Sequence, residues 1–109
     1  MTAYNFIYST FPDQESARKA AMALTGERLA ACVNILPGMQ SFYWWEGKID
    51  SAAEVVLIAK APAENFEAVR AHIQSLHPYS CPCIIALPIA AGHAPFLEWI
   101  DQETSARRS

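Results

Sequence analysis

The sequence is short of charge. Only 17% of its 109 residues are Asp, Glu, Lys or Arg, and they leave a formal net charge of −3, where an average soluble domain carries about 25% charged residues. Binding nucleic acid by counterion release needs Lys and Arg clustered on one surface, and the only basic pair near an end, Arg107-Arg108, reads as a solvated tail. Nucleic acid is therefore excluded as a partner. No apolar run approaches the roughly 18 residues of a membrane span. The opening MTAYNFIYST lacks the basic flank and long apolar stretch of an export signal, so the expectation is a cytoplasmic chain without a membrane partner. Three cysteines, Cys32, Cys81 and Cys83, are an odd number and point to reduced thiols rather than a disulfide framework. Glycine and proline occur singly at element borders, which leaves one domain spanning residues 1–109 with no linker or repeat. There is no glycine-rich phosphate loop and no Gly-x-Ser-x-Gly elbow. The chain reads as a binding protein and not as an enzyme.

Apolar residues are what it has in excess, at 52%. A domain of this size buries only about two-thirds of the surface its unfolded chain exposes, so the surplus calls for a large interface between subunits.

Residues 4–10 alternate, with Tyr4, Phe6 and Tyr8 on one side and Asn5, Ile7 and Ser9 on the other, which is strand periodicity. Asp13 is placed to cap a helix carrying Ala17, Ala20, Ala21 and Leu24 at i, i+3, i+4 and i+7, ending near 26–28. Residues 31–45 read as one long strand bent at Pro37-Gly38, Glu46-Gly47 as a tight turn, and 48–60 as the returning strand. Pro62 suits the first turn of a second helix with Phe66, Val69, Ile73 and Leu76 on one face, stopped by Pro78. Residues 83–89 form a fourth strand, and a last helix begins at Pro95 with Phe96, Trp99 and Ile100 facing inward. The order predicts an α+β, ferredoxin-like βαββαβ sandwich with a long β2-β3 hairpin and a C-terminal helix. The hairpin is too long for its own sheet and ends in Tyr43, Trp44 and Trp45, an aggregation hazard unless a neighbouring subunit covers it. Those three aromatics are the expected subunit interface, and pattern alone leaves dimer and trimer open.

Four blocks in order resemble the signature segments of the CutA, or divalent-cation-tolerance, family: residues 29–38 (LAACVNILPG), 41–48 (SFYWWEGK), His77-Pro78-Tyr79 and 85–89 (IALPI). The resemblance covers nearly the whole chain. It implies a homotrimer similar in architecture to PII signalling proteins and an association with tolerance to copper and other divalent cations. It also makes Glu46, Lys60 and Tyr79 candidates for a polar cleft between subunits. Members usually carry acids where this chain has Ser80 and Cys83. Some have a cysteine at the position of Ser9 and a second histidine at that of Leu76, both implicated in copper ligation.

His77, Cys81 and Cys83 give the spacing His-x-x-x-Cys-x-Cys, stiffened by Pro78 and Pro82. Imidazole and thiolate suit Cu(I) or zinc, and a neighbouring subunit could complete the set. The competing reading places His77 at a helix C-terminus, Cys81 in a loop and Cys83 at the start of a buried strand. Cys32, in an apolar strand start, is a further thiol that could join a metal but is expected in the core. The function anticipated is a trimeric protein that binds a metal ion, copper or another divalent cation, or a small ligand. The alternative is a scaffold presenting a surface to a protein partner.

Overall fold

Strand β1 (Tyr4–Phe11) turns Ile7, Ser9 and Phe11 toward a helical layer, where all three are fully buried. This is a computed structural model and describes residues 3–108, the side chains of 106–108 apart, so those of Arg107-Arg108 lie outside the described residues. Helix α1 (Gln14–Gly26) begins where Asp13, in extended backbone, accepts a 2.8 Å hydrogen bond from the Ser16 amide. That satisfies one of the orphan donors of the first turn. Ala17, Ala20 and Leu24 form its buried stripe, and the two alanines let it lie close on the sheet. The helix ends without a glycine in the left-handed position. Arg28 takes it, at φ 56°, with its guanidinium bonded to the Glu103 carbonyl at 2.9 Å and to Glu103 Oε1 at 3.2 Å.

Strands β2 (Cys32–Trp45) and β3 (Lys48–Pro62) form the long hairpin, closed by Glu46 and Gly47 at φ 51° and 78°. Positive φ at both central residues is the geometry that matches strand twist in a two-residue hairpin. Pro37-Gly38 makes a bulge: Leu36 faces Val56, but Met39 faces Glu54, so β2 has one extra residue. After a single-turn 3₁₀ segment at Ala63–Asn65, helix α2 (Phe66–Leu76) buries Val69 and Ile73. Pro62 is thus the last residue of β3 and not part of α2, since its extended ψ of 143° cannot continue a helical turn. Leu76, expected on the buried face, is exposed in the final turn. Asn65 is buried and donates from Nδ2 to the Leu29 carbonyl at 2.9 Å, stitching the start of α2 to the end of α1.

Strand β4 (Ile84–Pro88) completes an antiparallel sheet of order β2-β3-β1-β4 with α1 and α2 on one face. Helix α3 (Ala94–Arg108) buries Ile100 and Thr104. Phe96 and Trp99 were expected inside but are 39% and 37% exposed. They stack on each other at 5.7 Å, and Lys60 Nζ lies 5.7 Å from the Phe96 ring. The order, the sheet and the closing helix match the ferredoxin-like expectation.

Replacing Asn65 by Ala would leave the Leu29 carbonyl buried without its donor. The expected loss of unfolding free energy is about 1–3 kcal/mol, read by denaturant unfolding at fixed protein concentration; a change near zero would show that water replaces the amide.

Candidate functional site

A cleft of 720 Å³ opens on the side of the sheet opposite α1 and α2. The bulge builds one wall. Before it, even-numbered residues of β2 share a face with Ile58 and Lys60; after it, the odd-numbered Met39, Ser41, Tyr43 and Trp45 pair with Glu54, Ala52, Asp50 and Lys48 on that same face. All four line the cleft, with Tyr8 and Thr10 of β1, Asp50 and Glu54 of β3, and Tyr79, Ser80, Cys81 and Cys83 of the following loop.

Glu54 organises the interior. Its Oε1 accepts from Ser41 Oγ at 2.6 Å and its Oε2 from the Tyr79 hydroxyl at 3.2 Å. Burial and then the Glu54 charge push the Tyr79 phenol above its ordinary value, and the same two causes push the Cys83 thiol up. Both groups therefore keep their protons at neutral pH. Two carboxylates and no Lys or Arg line this cleft.

His77 holds Tyr79 in place. The imidazole is buried and stacked on Phe11 at 4.3 Å. Its Nε2 lies 2.6 Å from the Thr10 carbonyl, which can only accept, and its Nδ1 lies 3.1 Å from the Tyr79 amide, which can only donate. These partners select the neutral tautomer protonated at Nε2. Neither ring nitrogen has a free lone pair for a metal.

The anticipated ligand set is therefore not assembled. Cys81 and Cys83 reach the cleft, whereas both ring nitrogens of His77 are committed to the backbone. Among the described residues no three His, Cys, Asp or Glu side chains are placed to hold a metal ion. Cys32 is neither in the core nor in the cleft: it sits half-buried opposite Lys60, whose Nζ is 4.0 Å from its sulfur. Ser9 faces the core, and its hydroxyl is buried without a partner among the described residues. Glu46 lies at the hairpin tip and Lys60 at its base, about 40 Å apart by strand rise, so within one chain neither joins Tyr79. The aromatic triplet divides as well. Tyr43 and Trp45 line the cleft, while Trp44, paired with Ile49, points to the opposite face of the arm.

Sequence reasoning missed Glu54, Asp50, Ser41 and Met39. A signal for Glu54 was present, a single carboxylate inside the apolar run 52–59 (AAEVVLIA); the others depend on the bulge.

A phenol with a raised folded-state pKa keeps its proton after the unfolded chain has lost it, so folding stability falls as pH rises upward from 10.0, the ordinary value. In Tyr79→Phe the plot of Tm against pH is expected to fall less steeply above that value than in the parent; equal slopes would detach Tyr79 from Glu54.

Comparison with known proteins agrees with the fold and corrects one expectation. Residues 5–103 match the family described as CutA1 divalent ion tolerance protein. The divalent-cation tolerance protein CutA of Archaeoglobus fulgidus is 48% identical over 99 residues, 91% of this chain and 96% of that one. Its solved structure superposes with a TM-score of 0.90 over 93% of this chain and 98% of that one. The rice chloroplastic protein CutA 1 is 43% identical over 98 residues, 90% of this chain and 55% of its own longer length. The Archaeoglobus structure is described as periplasmic and the rice protein as chloroplastic, which overturns the cytoplasmic expectation: the lack of a recognisable export signal in the sequence does not locate such a chain. Fold, sequence and length together make this chain a member of the CutA1 divalent ion tolerance family.

Proposed function

We propose that the protein is a homotrimeric binding protein that takes a cationic ligand in the cleft between its hairpin arm and the loop 79–83, and that it acts in cation tolerance by binding rather than by turnover. The observation that carries this reading is the lining: Glu54, fixed by two hydroxyl donors, and Asp50, in a half-apolar cleft without Lys or Arg. Glu54, partly buried beside apolar walls, attracts a cation more strongly than it would in water, and the exposed Asp50 adds a second negative charge to the same face. The names of the related proteins point the same way, toward divalent cations. A copper centre on His77, Cys81 and Cys83 lacks support from one chain, because the imidazole is already engaged. The same engagement leaves His77 unsuited to act as a base.

Assembly is supported by what a single chain leaves in water. Phe42, Trp44 and Ile49 of the arm are 69%, 73% and 67% exposed, and Leu36, Ile85 and Leu87 lie half-exposed on the side of the sheet opposite α1 and α2. Strands β2 and β4 also end the sheet as open edges. Closed symmetry would cover all of these, and three as the copy number rests on the family resemblance.

Light scattering in dilute neutral buffer is expected to return the mass of three 12.0 kDa chains, and Trp44→Glu to yield monomer or aggregate; a stable parent monomer would remove the interface argument. Calorimetric titration with a panel of metal and organic cations is expected to find a ligand whose affinity drops at least tenfold in Glu54→Gln. If no cation binds, the protein is better read as a scaffold for a protein partner.

A further inference from the structure

Four of the cleft's walls are aromatic: Tyr8, Tyr43, Trp45 and Tyr79. A bare divalent metal ion has no use for them. Calcium or magnesium needs six or more oxygens at about 2.0–2.6 Å, and here no trio of ligating side chains gathers among the described residues. The volume of 720 Å³ instead falls within the range of about 300–1,000 Å³ that accommodates small organic molecules. Aromatic faces beside carboxylates are the arrangement that recognises organic ammonium groups, through cation–π attraction on one side and charge-assisted hydrogen bonds on the other.

The two carboxylates are spaced. Asp50 and Glu54 stand four residues apart on one face of β3, which is about 13 Å along a strand. Neither enters an ion pair among the described residues. Lys48, on the same face two residues from Asp50, is not part of the lining. Between the carboxylates stands the cross-strand pair Ala52 and Ser41, whose hydroxyl is given to Glu54, while the Met39 thioether lies opposite Glu54 and accepts from the Tyr8 hydroxyl at 3.6 Å. Two anionic ends, an uncharged middle and aromatic walls complement one molecular shape.

We propose that the cleft binds a linear diammonium, an alkyl chain with a protonated amine at each end, as in the α,ω-diamines. This rests on the cation-site reading above and specifies its ligand. One ammonium donates to Glu54 beside Tyr79, whose hydroxyl also donates to that carboxylate; a carboxylate has lone pairs for both. The other ammonium donates to Asp50, near Tyr43, its cross-strand partner, and Trp45. The methylene chain crosses the pair of Ala52 and Ser41 and packs at its Glu54 end against Met39. Cys81 and Cys83 form part of the rim and take no role in this binding.

The test is calorimetric titration of the intact protein with 1,8-diaminooctane, whose two amines stand at a comparable separation when extended. It is run beside 1,4-diaminobutane, which carries the same charge but is too short to reach both carboxylates, and beside Mg(II) and Cu(II). The long diamine is expected to bind with at least tenfold higher affinity than the short one, and Asp50→Asn to erase that difference. Trp45→Ala is expected to weaken the long diamine about tenfold, and Trp45→Phe to restore most of the loss. Long-diamine binding that is unchanged in both Asp50→Asn and Glu54→Gln would mark adsorption to an acidic surface and overturn the proposal. Glu54-dependent binding of a metal ion without binding of the long diamine would overturn it too, while leaving the cation site standing. Failure of every cation would defeat both readings.

Discussion

One extra residue in β2 decides which side chains the cleft receives. Side chains alternate along a strand, so inserting a single position at Pro37-Gly38 reverses the alternation for everything beyond it. Without the bulge, Gln40, Phe42 and Trp44 would face the cleft, and Ser41, Tyr43 and Trp45 would face away. Ser41 would then be lost as a donor to Glu54, and two aromatic walls would go with it. Gly38 permits the insertion because its φ of 85° lies in the left-handed region that side-chain-bearing residues avoid. The site and the exposed apolar face of the arm are thus two products of one backbone irregularity.

A second chain of dependence runs through His77. Phe11 packs against the imidazole, the Thr10 carbonyl fixes its proton on Nε2, and the remaining nitrogen holds the Tyr79 amide. Tyr79 then reaches across to Glu54, which also holds Ser41 of the neighbouring strand. A residue that looks like a ligand is a positioning residue, buried because its two polar atoms both find backbone partners. Its protonation pattern carries order from the end of β1 to the far wall of the cleft.

Much of the architecture was legible in the sequence because local signals and the global fold agree. The alternation of Tyr4 through Ser9, the Asp13 cap, the spacing of Ala17, Ala20 and Leu24, and the Glu46-Gly47 turn each act over a few residues, and each stands in the structure as read. The exceptions depend on distant partners or on exact parity. Pro62 suits a helix start as well as a strand end, and only its pairing with Tyr4 selects the second. Phe96 and Trp99 have the spacing of a buried stripe, but within one chain the stripe extends beyond the edge of its support, leaving Ile100 and Thr104 to be covered. Of the candidate site, Tyr79, Cys81, Cys83, Tyr43 and Trp45 were named and do meet in the cleft. The carboxylate at its centre was not, since Glu54 shows its importance only when the bulge brings Ser41 and the loop brings Tyr79 beside it.

Strand order has a consequence for the growing chain. β1 lies inside the sheet, flanked by β3 and β4, and its residues pair as far away as Pro62 and Pro88. It is the first strand to be synthesised and the last to find both neighbours, so a nascent chain holds Ile7 and Phe11 without a sheet around them until most of the sequence has emerged. The β2-β3 hairpin is local and needs no such wait, and it can offer an edge to β1 before β4 exists. Pairings this distant are slow to close and leave apolar strand surface open meanwhile, which makes the order of emergence, and not only the final packing, part of what this sequence has to survive.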